Sequence, residues 1–356
     1  MKTKRTLILS GLLVMAIIFA NIPVSAYSAM YNNGLSLFSK FFNMTEEDIY
    51  KSNLNDSAES LLAEIKALEQ ELKDDNSKIA LVPHAMALIE KKDEFTPEEI
   101  ILLLQDDETG AILESILIKM YIEKKADSNK LLPLLNDGKL SSDSKDYIVA
   151  IGDFSDDSLT DICYKYDNSV TVVAMKKLMT TNVEKAYQFA SEILINDTKN
   201  VSDAKLWAAS LGAGEYFNRF SGDDSEKKII VEKLKELFSI SKNEVVKDKF
   251  IYSLAKMNDF DVFKYIISDD KIDTDLKIST IERNVQMLVE KSTSKTSSSE
   301  LSYIIKAMEI HPILEVGEAL QQSLKSRTVP QSEELMATVK HIENNGIKGV
   351  FKYEQN

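Results

Sequence analysis

The sequence predicts an all-α protein: an α-solenoid, a superhelix of stacked antiparallel helical pairs with helical caps. Three observations predict it. Gly and Pro are scarce, at 11 and 6 of 356 residues. Apolar residues recur three and four positions apart almost throughout, while strand-like alternation is scarce. A helix-sized apolar pattern also returns about every 33 residues, a period at which single units stack to bury a shared core.

The chain opens with Lys2, Lys4 and Arg5, then an uncharged apolar run, then Val24-Ser25-Ala26. This is the three-part pattern of a secretory signal, and cleavage is expected after Ala26. The apolar run is shorter than the roughly 20 residues that span a bilayer comfortably. No cysteine follows it, which excludes a lipoprotein anchor, and no second long apolar segment exists. Cleavage removes three basic residues and no acid, taking the net charge from −14 to −17. So acidic a surface repels nucleic acid and anionic lipid. Cys163 is the only cysteine, so an exported chain of this length must rely on its apolar core.

After the signal, an aromatic stretch over residues 27–44 leads to Thr45-Glu46-Glu47-Asp48, a helix start. Leu61, Ile65, Leu68 and Leu72 then lie at heptad spacing, too briefly for a coiled coil, and a capping helical pair is expected.

The repeated pattern is clearest in NEVVKDKFIYSLAKM, residues 243–257. Leu254 has Phe250 and Ile251 four and three positions back, and Ser253 beside it, where a neighbour can approach closely. Ile116, Ile151 and Leu211 repeat this with Ser115, Ala150 and Ser210 at the small position. Leu178 and Ile281 are imperfect copies, with Lys177 and Lys277 breaking the pattern. Before each anchor lies a second apolar segment closed by a polar turn: LLLQDD, LLPLLNDG, ICYKYDNS, EILINDTK, LKELFSISKN and KYIISDDK. Asn, Asp and Ser in such turns serve as helix N-caps. The unit is therefore helix, polar turn, helix.

Residues 246–257, VKDKFIYSLAKM, resemble the second helix of a HEAT repeat. Lys247 stands at that family's basic position, and Ser253-Leu254-Ala255 stands for its Ala-Leu-Gly. Ser210-Leu211-Gly212 and Ala150-Ile151-Gly152 fit the same place, while the family's first-helix proline is mostly missing. The resemblance, to HEAT-repeat-like α-solenoids of exported bacterial type, implies a scaffold presenting a curved binding surface. Residues 292–299, STSKTSSS, read as a linker or loop. Helices are expected beyond it over 300–310, 313–326 and 332–344, separated by Pro312 and Pro330. The organisation expected is a signal over 1–26, an N-terminal helical cap over 27–94, the array over 95–291, the linker over 292–299 and a C-terminal helical region and tail over 300–356.

His84, His311 and His341 have no His or Cys at helical ligand spacing, and HEXXH, GXSXG, a P-loop and a dinucleotide fingerprint are absent. His84 reads as a helix-start or packed residue, His311 as a helix end and His341 as a late-turn residue. Cys163 reads as a buried structural thiol. Gly212-Ala213-Gly214 reads as a helix C-terminal break, and Trp207, the sole tryptophan, as a core-facing residue. The acids Asp153, Asp156, Asp157 and Asp161, and Asp269, Asp270, Asp273 and Asp275, lack the calcium-loop pattern and read as turn acids and caps.

Lysines mark the second helices: Lys145, Lys176, Lys177, Lys205, Lys247, Lys249 and Lys277. In HEAT-like arrays second helices line the concave side, so these lysines are expected to form a basic ladder meeting an acidic partner, either a protein or an anionic wall polymer. The expectation is a non-enzymatic scaffold or adaptor without catalytic, cofactor or metal residues, secreted or associated with the cell envelope, and binding a protein partner there. Two other readings stand beside it: a carboxylate-based glycan hydrolase on a helical toroid, and an envelope or spore assembly factor binding client chains.

Overall fold

The computed structural model describes residues 46–71, 81–196, 201–220, 224–326 and 333–348. The signal sequence, the whole aromatic stretch over 27–44 and Leu72 lie outside the described residues. Among the described residues all regular structure is helical, apart from one isolated bridge between Ile313 and Ile347. None of these helices is long and apolar enough to cross a membrane. The chain divides into two compact units, 1–158 and 159–356.

The first unit contains α1 (Glu46–Asn53), α2 (Ala58–Glu71), α3 (Val82–Glu90), α4 (Pro97–Leu104), α5 (Ala111–Glu123), a 3-10 stretch (Ser128–Asn136) and α6 (Ser142–Ile151). α2 lays Leu61, Leu62 and Ile65 against α3 and α5. That apolar stripe is therefore satisfied within the unit. α4 starts with a full capping box, in which Thr96 and Glu99 each accept the other's backbone N–H, and Pro97 fills the first helical position. The segment LLPLLNDG, expected as a first helix, is a 3-10 stretch instead. Pro133 within it lacks the N–H an α-helix needs.

Two starts in this unit are capped from a distance. α5 begins after Gly110, which has no side chain to offer. The Glu69 carboxylate on α2 accepts from Ile112 N (2.8 Å) and Leu113 N (3.3 Å) instead. Glu114, only 3% exposed, accepts from the backbone N and hydroxyl of Ser141, the α6 cap. Orphan N–H groups at helix starts thus serve as joints between elements.

α7 (Asp156–Lys165) crosses the division between the units. The second unit continues with α8 (Ser169–Thr181), α9 (Val183–Ser191) with a π turn (Glu192–Asn196), α10 (Asp203–Arg219), α11 (Asp224–Ile240), α12 (Glu244–Lys256), α13 (Phe260–Ser268), α14 (Thr274–Arg283), α15 (Val285–Lys291), α16 (Ser298–Ile310), α17 (Leu314–Ser326) and α18 (Glu333–Asn345). Its even-numbered helices pack in succession: α8 on α10, α10 on α12, α12 on α14, α14 on α16 and α16 on α18.

Polar turns set the starts of these helices. Asn168 caps α8, Ser202 α10, Asn243 α12 and Asp273 α14, each accepting a backbone N–H two or three residues on. Successive turns are also tied together. Asp167 accepts from Ser202 Oγ (3.2 Å) and Lys205 Nζ (3.0 Å), and Asp203 accepts from Asn243 Nδ2 (2.9 Å).

Two small positions of the repeat, Ser210 and Ser253, meet in a seam, while Ser115 is half-buried and donates to Ala111 O of its own helix. Ser210, Ser253 and Thr280 are buried, and Ser253 Oγ donates to Ser210 Oγ at 3.1 Å. Ala150 departs from this: it is exposed, because α6 stops one residue later at Ile151. Gly212-Ala213-Gly214 is no break, since α10 runs on to Arg219. A Cβ at Gly212 would lie 2.8 Å from the Ala186 carbonyl of α9, and one at Gly214 2.8 Å from the Ser253 carbonyl of α12. The glycines let three helices come close, which offsets their cost of about 0.5–1 kcal/mol each within a helix.

α13 to α18 share one core containing Phe263, Leu288, Leu301, Ile304, Val316, Val339 and Ile342. The Ser/Thr stretch 292–299 is a largely exposed turn anchored at its start. Ser292 is buried and donates to Leu288 O (2.7 Å), and Ser297 opens α16 with a capping box to Glu300. α16, α17 and α18 are the three helices expected beyond the stretch.

Candidate functional site

The seven lysines singled out by sequence differ in their surroundings. Lys145 lies on α6 in the first unit and the other six in the second. Lys205 is drawn to Asp167 at 3.0 Å. Lys247 pairs with Glu244 of its own helix at 3.3 Å and lies over Phe238, 5.2 Å from the ring centre. Lys277 is 8% exposed. Lys177 is half-buried beside the exposed Lys176.

Lys176 of α8 and Lys249 of α12 do come together, on the helix between theirs. Their ammonium groups lie 5.8 and 5.4 Å from the ring centre of Trp207 on α10. This is cation–π range. Neither has a carboxylate partner among the described residues. Lys249 also lies 5.5 Å from the ring of Tyr252, which is 37% exposed. Trp207 is therefore not the core residue expected from its place in the repeat. It is half-buried, and its enclosed indole N–H has no acceptor among the described residues. The buried residues of α10 include the small ones Ala208, Ala209, Ser210, Gly212, Ala213 and Gly214. Close packing there turns Trp207 and Leu211 the other way.

Trp207, Leu211, Glu215 and Arg219 follow at four-residue steps and share one face of α10. Lys249, Tyr252 and Lys256 share a face of α12 by the same geometry. Glu215 is nearly enclosed. It accepts from Arg219 Nε at 2.7 Å and from Lys256 Nζ. Burial pushes its carboxyl pKa up, but the bonds from Lys256 and Arg219 outweigh that and hold it below the usual value. Arg283 at the end of α14 is part of this electrostatic group. Burial lowers its pKa, and nearby Tyr252 and Glu215 oppose that shift. The sequence reading missed Tyr252, Glu215, Lys256, Arg219 and Arg283. The helical spacing of 249, 252 and 256 was the available signal.

The remaining candidates are structural. Cys163 is fully buried, its thiol pKa raised to about 12 by burial, and its Sγ donates weakly to Thr171 O at 3.8 Å. His84 is buried in the first turn of α3. His311 caps the end of α16 and lies 3.2 Å from Glu282. His341 sits in α18, where Asn345 Nδ2 donates to its carbonyl. Asp273 caps α14, Asp269 accepts from Lys271 N, and Asp156 and Asp157 open α7. Among the described residues no three His, Cys, Asp or Glu side chains are grouped to hold a metal.

What the second unit offers is a face of ammonium, guanidinium, indole and phenol groups. Such groups bind anionic and aromatic chemistry by charge and stacking. Comparison with protein-family models, with curated proteins and with solved structures finds no match to this chain.

Proposed function

We propose that the chain is an exported, non-enzymatic interaction scaffold, an α-solenoid of helical pairs with HEAT-like repeats over residues 95–291. It presents its second helices to a protein partner at the cell envelope or in the secreted space. The successive packing of α8, α10, α12, α14 and α16 supports the stacked-pair reading. The observation that carries the binding role is the convergence of Lys176 and Lys249 on a half-buried Trp207. Two ammonium groups without a carboxylate partner among the described residues, on a chain of net charge −14, leave local positive charge to be satisfied from outside. Large amphipathic rings beside cations are characteristic of interface anchors.

The test is affinity capture with residues 27–356, wild type and the Lys176→Glu/Lys249→Glu variant, from envelope and culture extracts. A protein retained by the wild type and lost from the variant supports the scaffold. Retained glycan that is shortened on release overturns it in favour of a hydrolase. Fractionation of cells producing the full chain tests export, which fails if the protein stays inside.

A further inference from the structure

Resting on that scaffold reading, we propose that the face formed by α8, α10 and α12 takes a peptide segment with an apolar or aromatic residue between carboxylates. The carboxylates meet Lys176 and Lys249, and the apolar side chain packs on Trp207, Leu211 and Tyr252.

Charge complementarity argues for this occupant. The chain is acidic overall, and many of its lysines are already paired with its own acids: Lys66 with Asp106, Lys130 with Glu98, Lys205 with Asp167 and Lys227 with Asp259. Lys176 and Lys249 are exceptions, and both lie at one ring. A carboxylate brought to either gains a charge-assisted contact without displacing an existing pair. Desolvation by the neighbouring rings strengthens it.

The apolar half of the ligand follows from Leu211, half-buried one turn along from Trp207, and from the exposed Tyr252. Ring and aliphatic surface between two cations suits an apolar side chain flanked by acids. A uniform polyanion such as polyphosphate suits it less. Its charges would run along α12, which also carries the half-buried Asp248 beside Lys249, and like charge there costs affinity. The apolar surface between the two cations, with Asp248 next to one of them, therefore favours a ligand whose charge is interrupted.

Trp207 is the single tryptophan of the chain, so its fluorescence reports this face and no other. The probe is a short synthetic peptide of Asp and Glu residues interrupted by Phe, titrated into residues 27–356. Its companions are the same peptide with Ala for Phe, and polyphosphate of matched charge. The expected result is a saturable change in Trp207 emission, weakened at least tenfold by Lys176→Glu/Lys249→Glu and by raised salt. Lys145→Glu, a reversal in the other unit, leaves it unchanged. The Ala peptide binds at least fivefold more weakly than the Phe peptide. Because Trp207→Ala removes the fluorescent reporter itself, Leu211→Ala serves as the apolar variant and is expected to weaken the Phe peptide alone. Polyphosphate binding as well as the Phe peptide overturns the inference. So does a Phe peptide that fails to bind while the captured partner still depends on Lys176 and Lys249, and that result leaves the scaffold reading standing.

Discussion

Ser253 Oγ donates to Ser210 Oγ across 3.1 Å in the buried seam between α12 and α10. Both residues stand immediately before a repeat anchor, so the bond joins equivalent positions of successive second helices. Ser210 in turn donates to Trp207 O at 2.7 Å. The seam is closed one turn on, where Gly214 lies against the Ser253 backbone.

Ser253→Ala removes one hydrogen bond and leaves Ser210 with a partner, so a loss of about 1 kcal/mol is expected. Ser253→Val and Gly214→Ala force atoms into a closed seam and are expected to cost about 1–3 kcal/mol despite better helix propensity for alanine. Urea denaturation of the three variants decides. A Gly214→Ala protein as stable as the wild type would mean that the seam can open at no cost.

The buried carboxylate of Glu215 makes the second unit sensitive to acid. Its folded pKa lies below the ordinary value because the Lys256 and Arg219 bonds outweigh burial. Its contribution is therefore full above the unfolded pKa of roughly 4.3 and is lost as pH falls through the lower folded value. Asp259, the cap of α13, acts in the same direction: burial raises its pKa, but the bond from Lys227 and the N–H groups of Val262 and Asp261 outweigh this. Urea midpoints should fall steeply below about pH 4.5. Glu215→Gln should flatten that fall and cost about 1–3 kcal/mol near neutrality by leaving the cations uncompensated. An unchanged acid limb in the variant would remove Glu215 from the account.

Much of this architecture is legible in the sequence because its signals are local. Asn168, Ser202, Asn243 and Asp273 cap the helices that their turns announced, since a short polar side chain bonds only the backbone beside it. The misreadings concern what lies across a seam. Gly212 and Gly214 look alike whether they end a helix or admit a neighbour, and only Ala186 and Ser253 decide between the two. Trp207 and Leu211 have the spacing of a core stripe, yet the small residues beside them pack instead. Lysine spacing likewise cannot distinguish Lys205, which Asp167 holds, from Lys249, which lies at the rings of Trp207 and Tyr252.

Cys163 provides a clock for opening of the second unit. Its thiol is fully buried and its pKa is pushed to about 12, so almost no thiolate exists at neutral pH. Labelling by a disulfide reagent at about pH 8 should be negligible in the folded protein and should follow the unfolding rate as urea is added. Because burial raises this pKa, the contribution to stability is full below the unfolded value and declines as pH rises towards the folded one. Rapid labelling without urea would show that α7 and α8 separate without global unfolding.

Glu69 and Gly110 give the sharpest test in the first unit. The Glu69 carboxylate caps α5 by accepting from Ile112 N and Leu113 N, in place of the cap that Gly110 lacks. Glu69→Ala should therefore cost about 1–2 kcal/mol, the loss of a cap. A Cβ at Gly110 would land on that carboxylate, so Gly110→Ser alone should also destabilise. With Glu69 shortened to alanine the space opens, and the serine hydroxyl can accept from the same helix start. The double variant Glu69→Ala/Gly110→Ser should thus be more stable than either single variant, a coupling visible in a double-mutant cycle of thermal melts. Additive losses would show that Glu69 holds α2 to α5 through contacts other than the cap.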